Sequence, residues 1–132
     1  MSRVARAGLA LAALLHSAPA TSETPEVLYM LNCQGCHRPD GSGLPGAVPS
    51  LAELSRFLAT PEGRAYLVQV PGSANAPLSD GELAVVLNWM ARRFAPGAVA
   101  RPYTAEEVAL HRATRLEDVV AARRRILGRT DP

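Results

Sequence analysis

The run Cys33-Gln34-Gly35-Cys36-His37, at the end of the apolar segment Val27-Leu28-Tyr29-Met30-Leu31, decides how the rest of the chain is read. Two thiols three positions apart and an imidazole one position further on fall along one side of a helical turn, so a single flat cofactor can meet all three. A C-x-x-C-H run is the attachment sequence of a c-type haem, each sulfur closing a thioether bond to a vinyl group and the imidazole ligating iron. Cys33, Cys36 and His37 are therefore the candidate cofactor-binding residues, His37 the candidate metal ligand, and one covalent haem c the expected cofactor. Gln34 and Gly35 fill the spacer positions, Gly35 without adding bulk. Two other chemistries use the same residues. A redox disulfide of the thioredoxin kind wants an adjacent βαβ pattern, and the sequence has none. A zinc site wants four ligands, whereas the chain has two cysteines and three histidines, one of them in a segment expected to be removed.

Upstream of the motif, Arg3 and Arg6 precede the apolar run Ala7 to Leu15 and the small-residue site Ala18-Pro19-Ala20. This is the pattern of a secretory signal peptide over residues 1–20, cleaved near Ala20, and it points to a periplasmic protein. Its apolar core is far shorter than the roughly 20 residues that span a bilayer, and no later stretch is longer, so no membrane span is expected in the mature chain. Removing it takes two of the fourteen arginines and no acid, leaving twelve basic against twelve acidic side chains. A neutral mature chain gives no support to nucleic-acid binding. About 112 residues form one domain by length, small enough for a central haem to supply much of the core.

Downstream, the chain reads as all-α. Thr24-Pro25-Glu26 opens a helix that runs into the cysteines. Arg38 to Gly46 is a Gly- and Pro-dense loop. A short helix is expected over Leu51 to Leu58, and another from Thr60-Pro61-Glu62 to about Val70. Pro71 to Pro77 reads as a second loop, after which Ser79 and Glu82 have the spacing of a capping box. Leu83, Val86, Leu87, Met90 and Phe94 then recur at helical spacing, with Trp89 beside that stripe, until Pro96-Gly97 ends the helix.

This order of motif, loop, short helices and Leu78-Ser79-Asp80-Gly81-Glu82-Leu83 leading into a helix with Asn88-Trp89-Met90 resembles the small class I monohaem cytochromes c of bacteria, over about Glu26 to Phe94. The resemblance implies a helical domain over residues 21–100 whose first and last helices cross at the haem edge. It implies an electron carrier rather than an enzyme, passing single electrons between redox partner proteins, a dehydrogenase donor and an oxidase or cytochrome acceptor. Covalent haem attachment outside the cytoplasm agrees with the export signal. The chain departs from the family at one place: a methionine before the L-S-D sequence usually supplies the second axial ligand, and Pro71 to Ala76 contains none. Met90, Asn75, His111 or no protein ligand remain as alternatives. A haem with an open or weakly held sixth position, acting as a small-ligand sensor or peroxidase, is the competing function.

Residues 101–132 extend beyond the family pattern. Thr104-Ala105-Glu106-Glu107 and Thr114-Arg115-Leu116-Glu117 each have capping-box spacing, predicting two helices, the second ending near Gly128. Leu116, Val119, Val120, Ile126 and Leu127 form a partial apolar stripe beside Arg123-Arg124-Arg125. The pattern favours a strap packed on the cytochrome domain over a dedicated docking surface.

Overall fold

The computed structural model describes residues 23–98 and 101–128, so the expected signal peptide lies outside the described residues. Helix α1 (Pro25–Asn32) starts where expected: Pro25 takes the first position and Thr24 Oγ1 accepts from the Val27 amide at 3.4 Å. It stops at Cys33, whose backbone (φ −126°, ψ −37°) leaves the helix and caps the short α2 (Gln34–His37). The loop that follows has little regular structure beyond an isolated bridge between Leu44 and Val48. The stretch expected as one helix from Leu51 to Leu58 divides. A 3₁₀ turn (Leu51–Glu53) precedes α3 (Leu54–Leu58), because Glu53 at φ −94°, ψ 8° sits outside α-helical dihedrals.

Helix α4 (Pro61–Gln69) has Thr60 as its cap, accepting from the Gly63 amide at 3.0 Å. The segment expected as a plain loop contains another helix, α5 (Pro71–Ala74). Proline at its first position presets φ, and the Val70 and Pro71 carbonyls accept from the amides of Ser73, Ala74 and Asn75. Helix α6 (Asp80–Phe94) carries both halves of the expected capping box, with Ser79 Oγ accepting from Glu82 and Glu82 Oε2 accepting from the Ser79 amide at 2.8 Å.

The extension forms α7 (Ala105–Arg112) and α8 (Val119–Ile126), with two corrections to the capping expected from sequence. Thr104 does cap α7, but Glu107 does not return the bond; its carboxylate is taken by Arg64. The cap of α8 is Asp118, which accepts from Ala121 at 2.8 Å, while Thr114 lies in the turn that closes α7. An Asp is as good a cap as Thr, and it lies next to the first helical residue.

Two apolar clusters hold these elements. In the larger, α1 packs on α6, burying Leu28 and Tyr29 against the stripe of Leu83, Val86, Leu87 and Met90. Val86 is 0% exposed and Leu83 2%, each burial contributing about 1.5–3 kcal/mol. Tyr29, Trp89 and Phe94 join in a ring cluster, with centroids 4.9 Å apart for Tyr29–Trp89 and 5.5 Å for Tyr29–Phe94. In the smaller, Ala122 and Leu127 of the extension bury against Phe57 and Tyr66, with Leu116, Val119 and Ile126 alongside. Val120, expected on this stripe, is 59% exposed. No helix among the described residues is long and apolar enough to cross a membrane.

Polar bonds fasten the extension. Arg64, 6% exposed, makes two 2.8 Å bonds to the Glu107 carboxylate and one of 2.7 Å to the Arg101 carbonyl, with its guanidinium 3.9 Å over the Tyr103 ring. Asn88 exchanges two bonds with the Tyr103 backbone, and the Tyr103 hydroxyl donates to the Arg64 carbonyl.

Candidate haem-binding site

Cys33, Cys36 and His37 are brought together by the α1–α2 break. The Cys36 and His37 amides both donate to the Cys33 carbonyl, at 3.2 and 2.9 Å, so the motif closes one tight turn. Both cysteines are free thiols; Cys33 is half-buried against the larger cluster and Cys36 is exposed. Burial pushes the Cys33 thiol up to about 11, and the neighbouring Cys36 adds to this. Arg38, at φ +61°, is the one non-glycine residue in the left-handed region among the described residues. It turns the chain away, and its carbonyl accepts from the Tyr29 hydroxyl at 2.7 Å, which ties the turn to α1.

The loop returns beneath His37. The Gly43 amide donates to the His37 carbonyl at 3.2 Å. Burial lowers the pKa of His37 and favours the neutral ring; the Pro49 backbone pulls the other way, and the Arg123 charge lowers it further. His37 Nδ1 is buried with no partner that meets hydrogen-bond geometry. Arg123 itself reaches this region from α8, pairing with Glu53 at 2.9 Å and lying 5.0 Å from the Phe57 ring centroid.

These residues fit a covalently held haem. The thiols are not consumed in a disulfide, one is open to solvent, and the imidazole beside them is held toward its neutral form by burial. The second axial position is different. The connection from Val70 to Ser79 contains no methionine or histidine. Asn75 in it is exposed, its amide closing α5 by donating to the Pro71 carbonyl at 3.1 Å. Met90 is 7% exposed inside the larger cluster with Leu28 and Tyr29. His111 borders a surface cavity with Thr60, Pro61 and Glu107, and no residue of the smaller cluster borders that cavity. Arg112, whose bonds reach this connection, does not stand out in the sequence, and Arg123 does so only as one of the Arg123-Arg124-Arg125 run, since their partners lie more than 30 positions away.

An all-helical chain built on a C-x-x-C-H turn, with its first helix packed on the helix that opens at the L-S-D sequence, has the makings of a c-type cytochrome. No protein-family model matches the chain. It is 36% identical over 118 residues to cytochrome c-552 of Thermus thermophilus, a match covering 71% of this chain and 90% of that protein. A second cytochrome c-552, from a particular strain of the same species, is 36% identical over 118 residues, covering 71% of this chain and 80% of that protein. The chain belongs to the small class I monohaem cytochromes c: it is an electron-transfer protein and its cofactor is haem c. The matched span of 118 positions uses only 71% of this chain's 132 residues, about 94, so roughly two dozen residues of the relative have no counterpart here.

Proposed function

We propose that Cys33 and Cys36 hold the haem through thioether bonds and that His37 is its axial ligand, in a carrier that works in the periplasm between a dehydrogenase donor and an oxidase or cytochrome acceptor. The observation that carries this reading is the turn itself, with two free thiols leading into a neutral, half-buried imidazole whose buried Nδ1 makes no hydrogen bond of full geometry. When bound, the haem supplies one-electron chemistry, its iron cycling between Fe(III) and Fe(II). The chain's own residues do the rest. The thiols fix the cofactor without reliance on affinity, the closed turn sets the direction of the imidazole, and its burial keeps a nitrogen lone pair free for iron. Residues 1–20 act as a cleaved export signal, residues 21–100 as the cytochrome domain, and residues 101–132 as a strap; the burial of Leu127 and the Arg64–Glu107 pair support the last. Replacing both Cys33 and Cys36 by Ala leaves no haem on the denatured polypeptide, read by acid extraction; haem that survives extraction on the double variant overturns the assignment.

The missing ligand favours a second reading of the same site, an open or weakly filled sixth position. Val70 to Ser79 offers no strong-field side chain, and Met90 is engaged in core packing. The reduced protein is expected to bind carbon monoxide without denaturation. A low-spin reduced spectrum that ignores carbon monoxide assigns a protein ligand instead, and loss of that resistance in Met90→Ala or His111→Ala identifies it.

A further inference from the structure

Of the three consecutive arginines on α8, Arg124 and Arg125 are exposed and Arg123 turns back into the molecule. The Arg123 side chain is 20% exposed, against 66% for Arg125, whose pair with Glu62 lies at the surface. Arg123 donates to Glu53 Oε2 at 2.9 Å, and its guanidinium lies 5.0 Å from the centroid of the Phe57 ring. Its charge also reaches Tyr66, whose pKa is raised by burial and lowered by Arg123. The segment it docks on is tied to the haem motif through the loop before it. The Leu51 amide and the Ser50 hydroxyl both donate to the Gly41 carbonyl, at 2.8 and 3.3 Å, and the Gly43 amide donates to the His37 carbonyl at 3.2 Å. Glu53 shares the 3₁₀ turn of Leu51, so the anchor of Arg123 stands next to that tie. The cation is within electrostatic reach of His37: burial does most to lower the His37 pKa, the Pro49 backbone opposes it, and the Arg123 charge lowers it further. Arg56 also approaches Glu53, at 3.7 Å, so two guanidinium groups share one carboxylate.

We propose that Arg123 raises the reduction potential of the haem: anchored by Glu53 and Phe57, it holds a largely buried positive charge within reach of the His37 imidazole, which favours Fe(II) over Fe(III). The C-terminal extension is thereby a tuning element for electron transfer as well as a strap. This rests on the assignment of His37 as the axial ligand. The sign follows from charge alone, since reduction removes one positive charge from the iron and a fixed cation nearby favours the form with fewer. A largely buried charge is screened by salt less than an exposed one, so Arg123 acts where Arg124 and Arg125 do not.

The test is redox titration of the haem-loaded full chain. Arg123→Gln is expected to move the equilibrium at least threefold toward the oxidised form, ~28 mV for a one-electron couple. Arg123→Lys, which keeps the charge, should stay within about 1.5-fold of wild type. Two controls separate a charge at this place from other effects. Leu127→Ala loosens α8 without altering charge, and Arg125→Gln removes a surface cation from the same helix. Each is expected to leave the potential within about 1.5-fold of wild type, with Leu127→Ala lowering the melting temperature. A shift in either control, or in Arg123→Lys, equal to that of Arg123→Gln overturns the proposal, as does an unchanged potential in Arg123→Gln. Should Arg123→Gln not retain its haem, Glu53→Gln decides. It removes the carboxylate that offsets Arg123 and is expected to favour the reduced form at least twofold; an unchanged or more oxidised equilibrium overturns the proposal. A wild-type chain that carries no haem overturns the assignment of the site and this proposal with it, whereas a haem-loaded chain whose potential ignores Arg123 overturns the proposal alone.

Discussion

Gly43 shows how closely the loop is drawn under the haem motif. At φ +72° it occupies backbone that favours glycine, and a Cβ there would run into the Val48 carbonyl oxygen and come within 2.8 Å of the Pro49 carbonyl oxygen. Gly46 has a similar φ of +76° with nothing within 4 Å of the same position. Alanine at either position costs about 1–2 kcal/mol for the left-handed backbone. Gly43→Ala adds a collision with fixed backbone, and is expected to lose about 1–3 kcal/mol more than Gly46→Ala in chemical denaturation. It should also disturb the haem spectrum, since the displaced carbonyl belongs to the residue whose backbone bears on His37; equal losses for the two variants would refute the close approach. The motif was legible because its chemistry is local: three reactive side chains within five positions. Pro49 was not, because nothing in a chain of eleven prolines marks the one whose carbonyl neighbours the imidazole.

Among the elements, those whose caps and periodic stripes lie close together in sequence were readable. The Thr24, Thr60 and Ser79 caps are all in place, and the α6 stripe faces the core as its spacing requires. Failures came where two local rules competed or a distant partner intervened. Thr114 and Asp118 both suit an N-cap, and the structure uses Asp118. Asp118→Ala should therefore cost about 1 kcal/mol and lower the helicity of α8, with Thr114→Ala within about 0.5 kcal/mol of wild type; the reverse order in thermal melts would restore the Thr114 cap. Glu107 had the spacing to complete a box on α7, but a buried guanidinium across the molecule outcompetes an exposed amide for its carboxylate. Helix α5 went unread because four residues beginning Pro-Gly carry no periodicity.

For the whole molecule, the all-α class followed from the sequence, whereas the seat of the extension did not, since the contacts that fix it join residues far apart. Arg56 donates to the Leu127 carbonyl at 2.6 Å across 71 positions, and Arg64 meets Glu107 across 43. The Glu107 carboxyl is held below its ordinary pKa first by the hydrogen bond from Arg64; burial opposes this, and the charges of Arg64 and Arg101 add to it. A depressed folded pKa means stability that is complete above the unfolded value, near 4.3, and is lost as pH falls through the lower folded value. The wild-type melting temperature should thus decline below about pH 4.5 with a slope that Glu107→Gln reduces. At pH 7 the same variant should be about 3 kcal/mol less stable, because Arg64 keeps its burial and loses its carboxylate. Parallel melting curves for the two proteins across acid pH would show that Glu107 carries no such linkage.

The Arg56–Leu127 bond also bears on the order in which the molecule assembles. A chain made from its N-terminus presents Cys33, Cys36 and His37 long before residues 101–128 exist, and the loop closed by Arg56 and Leu127 can form only after residue 127 has been made. Until then Phe57 and Tyr66 lack the Ala122 and Leu127 cover that buries them. The late helices close the structure by long-range pairing, a slow class of step, so the haem motif has a window of access while the fold is still unfinished.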